Sequence, residues 1–325
     1  MACTNESMQE VTRDIFYQTT RNWEDVPFTQ AEGYVRMQSG DNSSRVRYFL
    51  DDNIGCAAHV KRFMGKTLLM IPAECLKHRQ TKHSTYTGFY RQIIREADIV
   101  EVNSVRPYDA EYETGMRQAG FLRPVGSFSF ALTNMIDLTQ PLAYDSNWKR
   151  NLKQAKPFSL KLEQKECPTP KDRSDFIQLY HEMCANKHLA MPFDDHLLEV
   201  LLSDPHFKLC MVYHDDKPVS GIIYHRQHEH CGLLYAATGN AAHPLHAGFE
   251  MYRLLLTRLQ AEGIQTFDME KMGASTHSTN AVFLFKQGIK GTLTTLCGEW
   301  QWTKRKWMAQ GMYLIKKYIW KKVQV

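Results

Sequence analysis

No two of the eight cysteines (Cys3, Cys56, Cys75, Cys167, Cys184, Cys210, Cys231, Cys297) stand as a CxxC pair. That spacing excludes a zinc ribbon and a dithiol redox site. Scattered thiols of this kind are expected to be reduced and cytosolic. No stretch comes near the run of roughly 18 apolar residues that a membrane span needs. The opening MACTNESMQE has no basic segment ahead of an apolar one, so no secretory leader is expected. Acid is missing from Lys304 to Val325, where seven basic residues stand. The net charge is +5, so the rest of the chain carries −2. The basic surplus belongs to one C-terminal segment that is also rich in Trp and Tyr.

What is present is ordinary for a globular chain. Of its 325 residues 43% are hydrophobic and 23% charged, which excludes disorder, collagen and low-complexity repeats. The length predicts about two domains at roughly 150 residues each.

The pattern along the chain is α/β. A helix-like FTQAEGYVRM precedes strand-like RVRYFL, and a hairpin runs from Ile54 to Ile71 through Gly65. Helix-like TGFYRQIIREA then leads to DIVEV, a helix ending at Gly120, and a long strand-like SFSFALTNMIDL. The second half repeats the order: FKLCMVY, VSGIIYHRQ, CGLLYAA, a long helix over 245–262, QTFDME, the helix TNAVFLFKQG and the strand GTLTTLCGEWQW. Ile99 and Phe267 stand 168 positions apart, and so do Gly120 and Gly288, as a duplicated unit predicts. The domains are therefore placed at 1–141 and 142–303, with a basic helix over 304–325. TQPLAYDSNWKRNLKQAKP reads as a polar helix linking them.

The unit of strand, helix ending in GF or GI, and long strand, carried by MRQAGFLRPVGSFSFAL and FLFKQGIKGTLTTLCGEWQW, is similar to the C-terminal half of a GNAT acyltransferase domain. Two such units in tandem, with VPFTQAEGYVRM, MIDLTQPL, KRNLKQAKP and YAATGNAAHPLHAGFEMYRLLLTRLQAEGIQTFDME, resemble the FemABX family of non-ribosomal peptidyltransferases from about Trp23 to Trp302. The fold class implied is α/β with mixed sheets and two tandem GNAT-like domains. The resemblance implies transfer of an activated acyl group, often an aminoacyl group from aminoacyl-tRNA, to an amine of a cell-wall precursor. In it the second domain receives the donor, and the cleft between the domains receives the acceptor. Two departures stand out. HPLHAGFEM replaces the usual pyrophosphate loop R/Q-x-x-G-x-G/A, and no long charged helical hairpin is inserted in the second half. The first puts ordinary acetyl-CoA binding in question, and the second a tRNA-contacting arm.

Attack of an amine on an ester or thioester needs a proton acceptor and donors for the oxyanion. Lys286 stands where the family has a Phe-Lys pair, and its ammonium is the candidate oxyanion partner; a solvated helical lysine is the bland alternative. Asp268 and Glu270 alternate with Phe267 and Met269, so a strand would turn both carboxylates to one side as candidate general bases. An ion pair with Lys271 is the competing reading. Tyr235, Arg150 and Lys153 are candidate substrate-binding residues, against core packing for the first and a solvated basic helix for the others. Arg36 follows from the resemblance, near an acceptor phosphate. HRQHEH and HPLH do not match the spacing of metal ligands, and Cys231 next to His230 faces the wrong way to be its partner, so neither a metal site nor a thiol nucleophile is expected.

As a helix, 304–322 gathers Trp307, Met308, Gly311, Met312, Leu314, Ile315, Tyr318 and Ile319 into an arc of about 160°. Arg305, Lys306, Lys316, Lys317 and Lys321 lie opposite. Such a helix packs on a domain, lies on an anionic membrane, or guides tRNA phosphates; the resemblance implies packing on the first domain. The reading is a cytoplasmic N-acyltransferase, at the inner face of the membrane if the tail binds it. It acts on a lipid-linked or small cell-envelope precursor of peptidoglycan or polysaccharide, with no permanently bound cofactor and aminoacyl-tRNA or acyl-CoA as donor. The alternatives are an acyl-CoA-dependent enzyme of polysaccharide or lipid biosynthesis and a catalytically silent GNAT-like binding module.

Overall fold

The computed structural model describes residues 7–40, 42, 45–63, 65–273 and 281–322. Cys3, the first two residues of the predicted helix TNAVFLFKQG, and residues 323–325 of the basic tail lie outside them. The chain divides into two compact units, Met1–Leu132 with Thr294–Val325, and Thr133–Leu293.

Unit 1 begins with β1 (Gln9–Val11), α1 (Arg13–Thr20), α2 (Glu32–Ser39), β2 (Val46–Leu50), β3 (Ile54–Phe63), β4 (Lys66–Ile71) and β5 (Cys75–Leu76). It continues through α3 (His83–Ile93), β6 (Ile99–Pro107) and α4 (Ala110–Gln118). The expected hairpin is β3–β4, turning at Gly65 with φ +70°, a left-handed conformation that glycine adopts without strain. Pairing is antiparallel except between β4 and β6, which run parallel. Apolar alternation sets the packing. Val100 and Val102 meet Phe89 and Tyr112 from α3 and α4, while Leu68 and Ile99 turn to the other face.

Unit 2 holds β7 (Leu132–Asp137), α5 (Ser146–Ala155), β8 (Lys161–Lys165), α6 (Pro170–Lys187), α7 (Asp195–Leu202), β9 (Phe207–His214) and β10 (Lys217–Gln227). Then come β11 (His230–Thr238), α8 (Ala247–Ala261), β12 (Thr266–Asp268) and α9 (Ala281–Gly288). The helix starts follow from local chemistry: Thr169 and Asp172 cap each other's backbone around Pro170 at α6, and Asp145 accepts the Trp148 N–H at α5. Here too one strand pair, β11 with β12, is parallel, and the other pairs are antiparallel. The chain ends with β13 (Thr292–Thr303), α10 (Lys306–Leu314) and a wider π-type turn over Ile315–Ile319.

The repeat is visible in the elements. Helices α3 and α8 end 168 positions apart, and β6 and β12 begin 167 apart. Phe121 and Ile289, which follow the paired glycines, are both fully buried. In chain order β7 closes the first repeat and β13 the second, yet their pairings are exchanged. β7 lies antiparallel on β12, and β13 lies antiparallel on β6. The units therefore divide after Leu132 and after Leu293, where a reading of the repeat in chain order placed the breaks at 141 and 303.

Three local readings change. Of SFSFALTNMIDL only Leu132–Asp137 is strand, because the Phe128 N–H and Ser127 hydroxyl are drawn to the Glu299 carboxylate instead of to a ladder. The predicted linker helix is α5, a core element of unit 2: its Trp148 is fully buried and meets Phe249 on α8. In the tail, Met308 and Met312 pack on Leu68 and Ile99, but Lys316, expected on the outward basic face, is buried. Its ammonium lies 2.9 Å from the Glu101 carboxylate, which also accepts from Gln301 at 2.8 Å. Lys316 stands four residues after Met312 and so shares its side of the helix, and the π-type turn, with its i→i+5 bonding, shifts the register of the residues beyond. It leaves Tyr318 65% and Ile319 60% exposed. Among the described residues no helix is long and apolar enough to cross a membrane.

Candidate active site

The parallel strands β11 and β12 pair over only three positions, His230 with Thr266, Cys231 with Phe267 and Gly232 with Asp268. Beyond that point a cavity of about 770 Å³ opens in unit 2, at the carboxyl ends of parallel strands where α/β folds gather ligands. Its size falls within the range of small-molecule sites. A bulge shapes one wall. Opposite β10, Ile223 pairs with Tyr235 but Tyr224 pairs with Leu233, so Leu234 is the extra residue. One inserted residue reverses the side-chain alternation. Leu233, Ala236 and Thr238 therefore line the cavity, and Tyr235 packs against Phe193 and Tyr180.

The amino end of α8 borders the cavity through His246 and Gly248. His246 is held at φ +53°, with its ring nitrogen 2.8 Å from the Asn151 amide oxygen. A helix amino terminus offers N–H groups and a positive dipole end to a phosphate. The described residues lining the cavity include His243 and Lys187 and no carboxylate, so its charge suits an anionic carrier.

Lys286 enters from α9, whose carboxyl end is fixed on all sides. The Asn134 amide donates to the Lys286 and Ile289 carbonyls, each at 2.8 Å. The Trp148 indole N–H donates to the Phe285 carbonyl at 2.9 Å, and the Asp145 N–H donates to the Gly288 carbonyl at 2.9 Å. These bonds fix the main chain from which the Lys286 side chain projects. The Lys286 ammonium donates to the backbone carbonyls of Glu270 at 3.1 Å and Lys271 at 3.2 Å.

The carboxylates meet differently from the expected strand alternation. β12 ends at Asp268, and Glu270 sits in the left-handed region at φ +61°, a strained choice for a residue with a side chain. The turn is held because the Asp268 carboxylate accepts the Glu270 N–H at 2.8 Å and the Thr133 hydroxyl. Gly232 lies beside it, where a Cβ would stand 3.5 Å from the Glu270 carboxylate, in ordinary contact. Burial pushes the Asp268 carboxyl up, against the hydrogen bonds that favour its charge. Burial, and then the Asp268 charge, push Glu270 up to about 8. Burial lowers the Lys286 ammonium, opposed by the two carboxylates. One turn thus holds a carboxyl that titrates near neutrality and a desolvated cation.

The structure brings Lys286, Asp268 and Glu270 together. It places Arg150 and Lys153 on the exposed side of α5, with the Arg150 guanidinium donating to the Asn147 side chain at 2.7 Å, and Arg36 half-buried on α2 of unit 1. Thr133, Asn134, Trp148 and His246 complete the site and had not been assigned to it. HPLHAGFEM reads from the sequence as a replacement for the usual pyrophosphate loop, and HPLH as a poor match to metal-ligand spacing, but neither reading gives His246 a role. Nothing local marks Thr133 and Asn134, which reach the site through β7. Among the described residues no group of three or more His, Cys, Asp or Glu side chains is arranged to hold a metal ion.

The sequence matches the acetyltransferase (GNAT) domain family over residues 147–277, which spans α5 through β12. No curated protein sequence matches the chain. Among solved structures, FemX superposes with a TM-score of 0.74 at 10% identity, covering 95% of this chain and 99% of its own. L-PGS from Bacillus licheniformis superposes at 0.66 with 10% identity, covering 96% and 98%. The C-terminal domain of a putative lysylphosphatidylglycerol synthetase from Agrobacterium fabrum reaches 0.59 at 11% identity, covering 87% and 91%. The class is that of acyltransferases. Within it, the chain has the FemABX-like GNAT fold, with mixed α/β units in tandem.

Proposed function

We propose that unit 2 transfers an acyl or aminoacyl group from a phosphate-bearing carrier to an amine of a cell-envelope precursor, in the cytoplasm at the inner face of the membrane. The observation that carries this reading is the Lys286 ammonium at the cavity wall, bonded to the turn that holds Asp268 and Glu270. The donor's carrier lies in the cavity with its phosphates toward the amino end of α8. The acceptor nitrogen attacks the donor carbonyl, and a C–N bond forms as the carbonyl π pair moves onto oxygen. Glu270, as the carboxylate, takes the proton from that nitrogen. A Lys286 N–H stabilises the oxyanion. The oxyanion then collapses, the C–O bond of an ester or the C–S bond of a thioester breaks, and the protonated Glu270 returns its proton to the leaving oxygen or sulfur. Asp268 acts on the backbone, fixing the Glu270 turn, and on Glu270 through its charge.

Aminoacyl-tRNA is the donor that the resemblance to the FemABX family and the whole-chain likeness to FemX support. Acyl-CoA is the second reading, favoured by the match to the acetyltransferase (GNAT) domain family. A thermal-shift panel of acyl-CoAs and aminoacyl-tRNAs separates them. Stabilisation by aminoacyl-tRNA with none by CoA supports the first reading, and stabilisation by CoA alone replaces it with the second. Silence toward both, together with no transfer to any amine, would leave a binding module.

A further inference from the structure

A second and larger cavity lies wholly in unit 1, a groove of about 960 Å³ between the tail and the exposed face of β3, β4 and β6. Its floor is apolar, formed by Leu68, Met70 and Ile99 with Met308 and Met312 from α10. Its rim is cationic. Arg45, Lys61, Arg62 and Lys66 line it, and no carboxylate is found among its described lining residues. Lys66 also pairs with Asp98 at 3.6 Å, and the Lys61 ammonium lies over the Trp320 ring at 4.5 Å. Beside the cations, apolar side chains of the tail stand in solvent: Trp307 is 62% and Ile319 60% exposed.

Gly311 adds an independent observation. It sits inside α10, where glycine costs about 1 kcal/mol relative to alanine. No packing requires it, since a Cβ there would meet nothing within 4 Å, and it lines the groove. The helix gives up propensity at the position where a side chain would enter the cavity.

We propose that this groove takes an acyl chain of an anionic phospholipid when the tail lies on a bilayer, with the headgroup phosphate held by the cations of the rim. An apolar slot flanked by cations and exposed Trp and Ile matches a molecule that is apolar at one end and anionic at the other. A soluble polyanion would use the cations and leave the slot empty. The site is separate from the cavity of unit 2 and stands whether or not that cavity transfers acyl groups.

The test is sedimentation of the full chain with vesicles of phosphatidylcholine alone and with phosphatidylglycerol added, for the natural protein, Lys61→Gln/Arg62→Gln, Gly311→Phe and Gly311→Ala. Binding is expected only with phosphatidylglycerol. Loss of two cations should weaken it about thirtyfold, and Gly311→Phe at least about tenfold by denying chain burial, with an unchanged melting temperature. Gly311→Ala is the folding control and should bind nearly as the natural protein does. Phospholipid should copurify with the natural protein and be missing from Gly311→Phe. Vesicle binding that falls in the charge variant but not in Gly311→Phe would overturn the groove as the lipid site. Equal binding to both vesicle types would overturn it too, as would the charge variant losing affinity for RNA while vesicle binding stays the same.

Discussion

The Lys286 ammonium bonds the backbone carbonyl of Glu270 at 3.1 Å, across sixteen positions of sequence. The same turn receives the Lys271 carbonyl bond to Lys286 and the Asp268 bond to the Glu270 N–H. A cation and two carboxyls are thereby locked to one short segment that ends a strand. Burial is the dominant influence on all three groups, raising the carboxyls and lowering the ammonium. Such opposed shifts suit proton transfer near neutral pH.

The Glu270 shift also predicts how stability depends on pH. Its folded-state value of about 8 lies above its ordinary 4.5, so the folded state binds the proton more tightly. Its contribution is complete below about pH 4.5 and is lost as pH rises through about 8. Glu270→Gln should therefore unfold at higher urea than the natural protein at pH 8.5, with the gap narrowing at pH 5. Urea titrations at the two pH values check it.

Lys286→Met should lower the transfer rate by roughly a hundredfold or more while leaving donor affinity nearly unchanged, as expected for a group that acts on the oxyanion. Single-turnover rates beside equilibrium donor binding separate the two effects. A fall in affinity with an unchanged rate would make Lys286 a binding residue.

The tail is pinned by the buried Lys316–Glu101 pair at 2.9 Å. Removing one partner leaves a buried charge, so Lys316→Met or Glu101→Gln alone should cost about 3–5 kcal/mol. The double variant should recover part of that loss. A double-mutant cycle by chemical denaturation measures it, and additive losses would mean that the pair is not coupled.

Two glycines should respond oppositely to alanine. A Cβ on Gly288 would stand 2.1 Å from the Trp148 indole, so Gly288→Ala should destabilise by about 1–3 kcal/mol or more. Gly311→Ala meets nothing within 4 Å and should stabilise α10 by about 1 kcal/mol. Thermal melts of both variants give the comparison.

Much of the fold was legible in the sequence because the periodicities are local. The Gly65 hairpin, the long helix ending near residue 262 and the repeat marked by Gly120 and Gly288 follow from alternation and glycine placement. The exchange of β7 and β13 was not legible, since strand pairing between distant segments leaves no local mark. Trp148 shows the same limit: in a basic, polar stretch it read as part of a linker, and only the partners on α8 and α9 make it core. The apolar arc of the tail was correctly drawn through Met308 and Met312, but Lys316 was grouped with the outward cations although, four residues after Met312, it falls only about 40° from it on a regular helix. Lys286, Asp268 and Glu270 were singled out as candidates by motif and alternation, and the structure gathers them at one turn. Yet Glu270 lies beside Asp268 through a left-handed turn and not along a strand, and the supporting Thr133 and Asn134 reach the site through long-range pairing.

The central claim is that Glu270 moves the proton in an acyl transfer supported by Lys286. Its most direct test is the pH–rate profile of amide formation between pH 6 and 9, with the donor that stabilises the protein, for the natural chain and for Glu270→Gln. The rate should rise with pH through about 8, where Glu270 loses its proton, and the Gln variant should lose that rise together with roughly a hundredfold of rate. A Gln variant that keeps the natural rate and the natural profile would contradict the account.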